Sequence, residues 1–146
     1  MEKILGLDLG TTTLGIAFSD SLGICHPKEV FRFNKGAYGK AKERVLQLLE
    51  EYNIKTIALG YPKHMDDRIS DMCKVVTIFK ERLLEARPDI EVNLVDERLT
   101  SVIAHEKLTE MGIKKEEQLK IVDMYAALEI LNTYIARKEN DNGIKR

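Results

Sequence analysis

Cysteine is scarce: Cys25 and Cys73 lie far apart, and neither belongs to a Cys-x-x-Cys pair. That spacing excludes a disulfide framework and a thiolate zinc site, so reduced thiols are expected. The three histidines show no metal-ligand spacing either. No segment approaches the roughly 18 consecutive apolar residues of a membrane span, and no basic n-region precedes a long apolar stretch at the N-terminus. A net charge of -1 gives no global basic excess, although a local basic patch on a neutral protein stays open. There is no internal repeat and no low-complexity tract. What remains is 146 residues with 44% hydrophobic and 32% charged side chains, enough for one domain with its own core. A cytoplasmic protein without a membrane partner is expected, with one domain over residues 1–138 and a flexible tail at 139–146.

The pattern of apolar runs supplies the elements. Ile4 to Leu9 reads as a short strand, ended by Gly10, and Leu14 to Ser19 as an antiparallel partner. Glu29 to Phe33 alternates as a third strand with one wet face. Ala41, Val45, Leu48, Leu49 and Tyr52 recur at helical spacing between Tyr38 and Tyr52. Thr56 to Leu59 is a buried strand ending at Gly60, followed by a polar loop. Ser70 or Asp71 caps a helix to about Ala86. Glu91 to Val95 forms a fifth strand, Thr100 or Ser101 starts a helix that stops at Gly112, and a last helix runs from about Lys115 to Arg137. The order β-β-β-α-β-α-β-α-α predicts an α/β fold: a five-stranded mixed sheet flanked by helices.

Three acids fall in unusual places. Asp8 ends an otherwise apolar strand, Asp96-Glu97 closes the fifth strand, and Asp123 sits in I-V-D-M-Y-A-A on the last helix. In a sheet of this order the first strand is central and the crossover strands run parallel to it. Asp8 and Glu97 then share an edge, and Asp123 joins them if the last helix packs across it. Ala126 and Ala127 lie three and four residues on, where small side chains permit a close approach. Converging carboxylates repel, and divalent cations relieve the repulsion. Hard oxygen ligands suit Mg²⁺ or Mn²⁺, and two such ions are able to split a phosphodiester. Alternation turns Asp96 away from Glu97 and makes it the weaker candidate.

Four motifs in order carry a family resemblance: G-L-D-L-G-T-T-T-L-G-I-A-F-S-D, L-G-Y-P-K-H-M-D, D-E-R-L-T-S and V-D-M-Y-A-A-L-E-I-L. From about Ile4 to Ile135 the chain resembles the YqgF family, also called Holliday-junction-resolvase-like or pre-16S rRNA nucleases. The resemblance implies a ribonuclease H-like fold and a metal-dependent nuclease with Asp8, Glu97 and Asp123 as catalytic metal ligands. It also implies a role in ribosome biogenesis, at the 5′ end of precursor 16S ribosomal RNA. The chain departs from the family in three places. Thr12 and Thr13 stand where members carry Lys or Arg. The Gly60–Asp67 loop lacks a usual Gly. The approach to Asp123, K-K-E-E-Q-L-K, interleaves acids with its bases. These departures bear on phosphate affinity and substrate shape rather than on reaction type. Lys63, His64, Arg98 and Lys120 are the candidate phosphate contacts, and Tyr61 is either a stacking platform for a base or packed on its own turn.

Two other readings stand beside the RNA nuclease. A nuclease cutting branched DNA needs two opposed sites, hence a symmetric dimer, whereas a single RNA strand requires one site and a monomer or weak homodimer suffices. A non-catalytic nucleic-acid-binding module would leave the acids unused. Gly10-Thr11-Thr12-Thr13 also resembles the phosphate turn of sugar kinases and actin-like ATPases. Those proteins use two related lobes, and 146 residues supply one.

Overall fold

The apolar runs at the N-terminus pair as a hairpin, with β1 at Ile4–Leu9 and β2 at Thr13–Ser19. The computed structural model describes the backbone of residues 2–62, 71–96 and 100–144, and side chains as far as residue 140. The remaining elements are β3 (Cys25–Arg32), α1 (Tyr38–Tyr52), β4 (Thr56–Tyr61), α2 (Asp71–Ala86), β5 (Glu91–Asp96), α3 (Thr100–Glu110) and α4 (Lys115–Ile144). The strands form one sheet in the order β3-β2-β1-β4-β5, with β1 central. β4 runs parallel to β1, and β5 parallel to β4, as two crossovers require.

Alternation splits each inner strand between two faces. Leu5, Leu7, Leu14, Ile16, Ile57 and Leu59 point to one face and pack with Val45, Leu48 and Leu49 of α1 and Val76, Phe79 and Leu83 of α2. The other face is built from smaller residues. Ile4, Ala17, Ala58 and Val95 meet Ala127, Ile130, Leu131 and Tyr134 of α4. A large-residue face and a small-residue face therefore hold their helices at different heights, and the lower helix carries Asp123.

Several element ends differ from expectation for identifiable reasons. β3 begins at Cys25 rather than near Glu29, because an edge strand accommodates Pro27. The register shifts between Ile16 and Ala17, which pair with Glu29 and Pro27, so Lys28 is the extra residue of a bulge. β4 continues through Gly60 to Tyr61 because Gly60 and Tyr61 pair with Val95 and Asp96. α4 continues past Arg137 to Ile144. The end of α3 closes as the sequence predicts, with Gly112 at φ +80° in the left-handed conformation, and α1 ends the same way at Asn53, at φ 52°. Behind each, a pair of backbone bonds completes a Schellman motif. Ile113 N–H reaches the Leu108 carbonyl at 3.0 Å, and Ile54 N–H reaches that of Leu49 at 2.9 Å.

Gly39, in the first turn of α1, has nothing beyond its chain neighbours and its own helix backbone within 4 Å of where a Cβ would lie, and its φ is not positive. Gly39→Ala is expected to raise stability by about 0.4–1 kcal/mol through the unfolded chain's lost freedom. Urea unfolding midpoints check this at unchanged slope.

Candidate active site

β1 and β2 pair residue for residue, and the pair that ends on the acid is Asp8 opposite Gly15. Directly paired residues of an antiparallel ladder share a face, so Asp8 and Gly15 both lie under α4. A Cβ added to Gly15 would stand 1.9 Å from the Asp123 carbonyl oxygen and 2.3 Å from its carbonyl carbon. One turn further along the helix, a Cβ on Gly6 would stand 2.8 Å from the Ala127 carbonyl oxygen. Helix backbone therefore rests directly on strand backbone at two points. The first of them sets Asp123 beside the strand position paired with Asp8.

The carboxylate of Asp123 is held from below. Thr13 Oγ1 donates a hydrogen bond to its Oδ2 at 2.8 Å. Thr13 opens β2 just past the hairpin turn, where Gly10 N–H bonds the Thr13 carbonyl at 2.8 Å. Asp8, Thr13 and Asp123 are all half-buried, screened by the fold yet open to solvent on one side.

The start of α4 is fixed by Gln118, which is 3% exposed. Its amide nitrogen donates to the Ile113 carbonyl at 2.8 Å and to Thr109 Oγ1 at 3.0 Å. The amide oxygen is left to accept from His105 Nδ1 at 2.8 Å. With Lys107 paired to Glu129, α3 and α4 are clasped at two levels, and Asp123 follows Gln118 by little more than one turn.

Of the acids singled out in the sequence, Asp8 and Asp123 are brought together. Glu97 lies outside the described residues, as do Arg98, Lys63 and His64. Asp96 ends β5 opposite Tyr61, one step beyond Val95, which packs under α4. Alternation therefore places Asp96 on the opposite face of the sheet from α4. Tyr61 packs on the α2 side, against the larger core cluster. Burial raises its hydroxyl pKa first, with contributions from Cys73 and a counteracting bond to Thr77. Cys73 is buried and donates to the Pro62 carbonyl at 3.3 Å, and Cys25 is half-buried with its thiol pKa pushed up by desolvation and then by Asp20. Lys120 is exposed, with its ammonium 3.3 Å from Glu117.

Four contributors were not anticipated. Gly15 and Gly6 set the height of α4, and Thr13 bonds Asp123. Arg32, exposed at the end of β3, pairs in register with Thr13 and donates to the Lys120 carbonyl at 3.3 Å. The signal for the glycines was present in the hairpin register, which puts Gly6, Asp8 and Gly15 on one face. No local signal marks Thr13 or Arg32, whose partners lie more than eighty residues away. Among the described residues no group of three His, Cys, Asp or Glu side chains is arranged to hold a metal ion, and Glu97 is not among them. No helix among the described residues is long and apolar enough to cross a membrane.

A family model described as RuvX, Holliday junction resolvase, matches residues 2–137. A protein of Lachnospira eligens, named as a candidate pre-16S rRNA nuclease, is 40% identical over 139 residues, covering 94% of this chain and 99% of that one. A Staphylococcus aureus protein of the same name is 34% identical over 135 residues, covering 92% and 95%. Among solved structures, Thermus thermophilus RuvC in complex with a Holliday junction substrate superposes with a TM-score of 0.57 at 14% identity, covering 94% of this chain and 96% of that one. At that identity the likeness establishes the ribonuclease H-like fold. The chain belongs to the RuvX family of Holliday junction resolvase-like nucleases.

Proposed function

We propose that this protein is a cytoplasmic, divalent-cation-dependent nuclease that trims the 5′ end of precursor 16S ribosomal RNA. The observation that carries the reading is the seating of α4 on Gly15, which sets Asp123 beside the strand position paired with Asp8. The RNA substrate is supported by the names of relatives that align over nearly their whole length.

The residues present fit a hard cation. Two carboxylates are delivered to one edge by rigid elements, and hard oxygen donors of this kind suit Mg²⁺ or Mn²⁺. Asp8 and Asp123 would hold the ion, with Glu97 as the third ligand. The alternation of β5, which turns Asp96 away from α4, favours Glu97 over Asp96. When bound, the ion would supply an activated water and charge compensation for the departing oxygen. The chain itself supplies the rigid frame: the central strand fixes Asp8, and the α3–α4 clasp fixes Asp123. Candidate phosphate contacts are Arg32 and Lys120 at the mouth of the site, together with Arg98, Lys63 and His64. Such contacts place the backbone without reading sequence. One site cuts one strand, so a monomer or weak homodimer serves.

A second reading, resolution of branched DNA, draws on the family's description and requires two copies with opposed sites. Three labelled substrates separate the readings: a precursor 16S 5′ leader, generic single-stranded RNA, and a DNA four-way junction, each with Mn²⁺ or EDTA. Cleavage of the leader in Mn²⁺ and none in EDTA is expected. Cutting of the junction alone would replace the reading by the resolvase. Binding without cleavage of any substrate would replace it by a non-catalytic module.

A further inference from the structure

We infer that Thr13 is a positioning residue for Asp123: its hydroxyl fixes the direction in which the Asp123 carboxylate presents its free lone pairs to a cation. The inference rests on the reading of Asp8 and Asp123 as cation ligands and adds a residue to that site. The hydrogen bond from Thr13 Oγ1 to Asp123 Oδ2 spans 110 positions of sequence at 2.8 Å. It is a direct side-chain link between the β1–β2 hairpin and the acid of α4.

The surroundings of this bond are shaped to keep it. A Cβ on Gly10 would come within 3.2 Å of Thr13 Oγ1, so the turn glycine leaves the space that the hydroxyl occupies. Two residues past Thr13, Gly15 lets the backbone of Asp123 settle onto the strand. The Thr13 backbone is held between the Gly10 amide on one side and the ladder to Arg32 on the other. A β-branched residue on a strand also has restricted χ1 freedom. The donor is therefore fixed in place before any ligand arrives. A ligating carboxylate that is itself hydrogen-bonded loses less orientational freedom on binding, which is how outer partners raise cation affinity.

Mn²⁺ binding to the full chain, measured by titration calorimetry without nucleic acid, tests the inference. Thr13→Val keeps the branched shape and removes the donor. Its Mn²⁺ affinity is expected to fall by roughly 10- to 100-fold at unchanged stoichiometry, and its cleavage should need correspondingly more Mn²⁺ while KM for RNA stays the same. Thr13→Ser, which keeps the hydroxyl, should retain most of the wild-type affinity. A purely structural role would instead lower the bound fraction with Kd unchanged, and that result overturns the inference. If valine is not accommodated, Thr13→Ala against Thr13→Ser gives the same comparison. Asp123→Asn separates the two levels. Wild-type affinity in Thr13→Val with loss in Asp123→Asn rejects the positioning role and leaves the site standing. Wild-type affinity in Asp123→Asn rejects the site itself.

Discussion

Asp8→Asn is expected to lower cleavage by roughly a thousandfold while leaving the fold in place. A cation at a scissile phosphate is worth several kcal/mol of transition-state stabilisation, and each 1.4 kcal/mol or so is a factor of ten. The substitution keeps the shape of the side chain and removes the charge that holds the ion. Its neighbours Leu7 and Leu9 bury on the opposite face, in the α1–α2 core, and do not feel the change. Without cation, folding stability should stay within about 1 kcal/mol of wild type, since one of two neighbouring negative charges is lost along with its repulsion. Added Mn²⁺ supplies the contrast. Wild type should gain RT ln(1 + [Mn²⁺]/Kd), about 2.7 kcal/mol at a hundredfold excess over Kd, and Asp8→Asn should gain little. Single-turnover cleavage and melting with and without Mn²⁺ measure both effects. Wild-type cleavage by the variant would remove Asp8 from the site.

The architecture was legible because its signals are local or periodic. The hairpin, the two crossovers and the left-handed end at Gly112 each follow from a few adjacent residues. β3 was underestimated because Cys25-His26-Pro27 carries no strand signal, and its pairing comes from the register of β2 across a bulge. At the site, the acids stood out because a carboxylate in an apolar run is conspicuous. Their partners did not. Thr13 is an ordinary turn-exit residue until α4 is laid over it, and Arg32 is an ordinary strand end. The small residues tell a middle story. Ala126 and Ala127 were noticed as permitting a close approach, but the closer contacts come from glycines on the sheet, Gly6 and Gly15. They become visible only when the hairpin register is written out and the face shared with Asp8 is followed residue by residue.

That register makes Gly15→Ala the most crowded of the glycine-to-alanine changes compared among the described residues. The added methyl would lie 1.9 Å from one backbone oxygen and 3.0 Å from the Met124 nitrogen. Neither obstacle is the end of a flexible side chain. On one side is an inner strand of the sheet, on the other a helix clasped to α3 through Gln118 and Glu129. Relief requires α4 to lift at Asp123. Overpacking costs about 1–3 kcal/mol where side chains are able to adjust, and this site, with backbone on both sides, belongs at or above the upper end. Lifting the helix also draws Asp123 away from Thr13 and from the level of Asp8. A misplacement near 1 Å costs on the order of a hundredfold in rate, so cleavage per folded molecule should fall by about that factor. Gly6→Ala separates packing from positioning. Its methyl meets the Ala127 oxygen at 2.8 Å and the Leu131 Cβ at 2.9 Å, a milder conflict one turn from the acid. It should lower stability less, and cleavage per folded molecule far less, than Gly15→Ala. Urea unfolding fixes the folded fraction for each variant, and single-turnover rates are scaled to it. Equal loss of activity in the two variants would make α4 a packing element alone. Full activity in Gly15→Ala would mean that the seating of the helix on β2 does not set the position of Asp123.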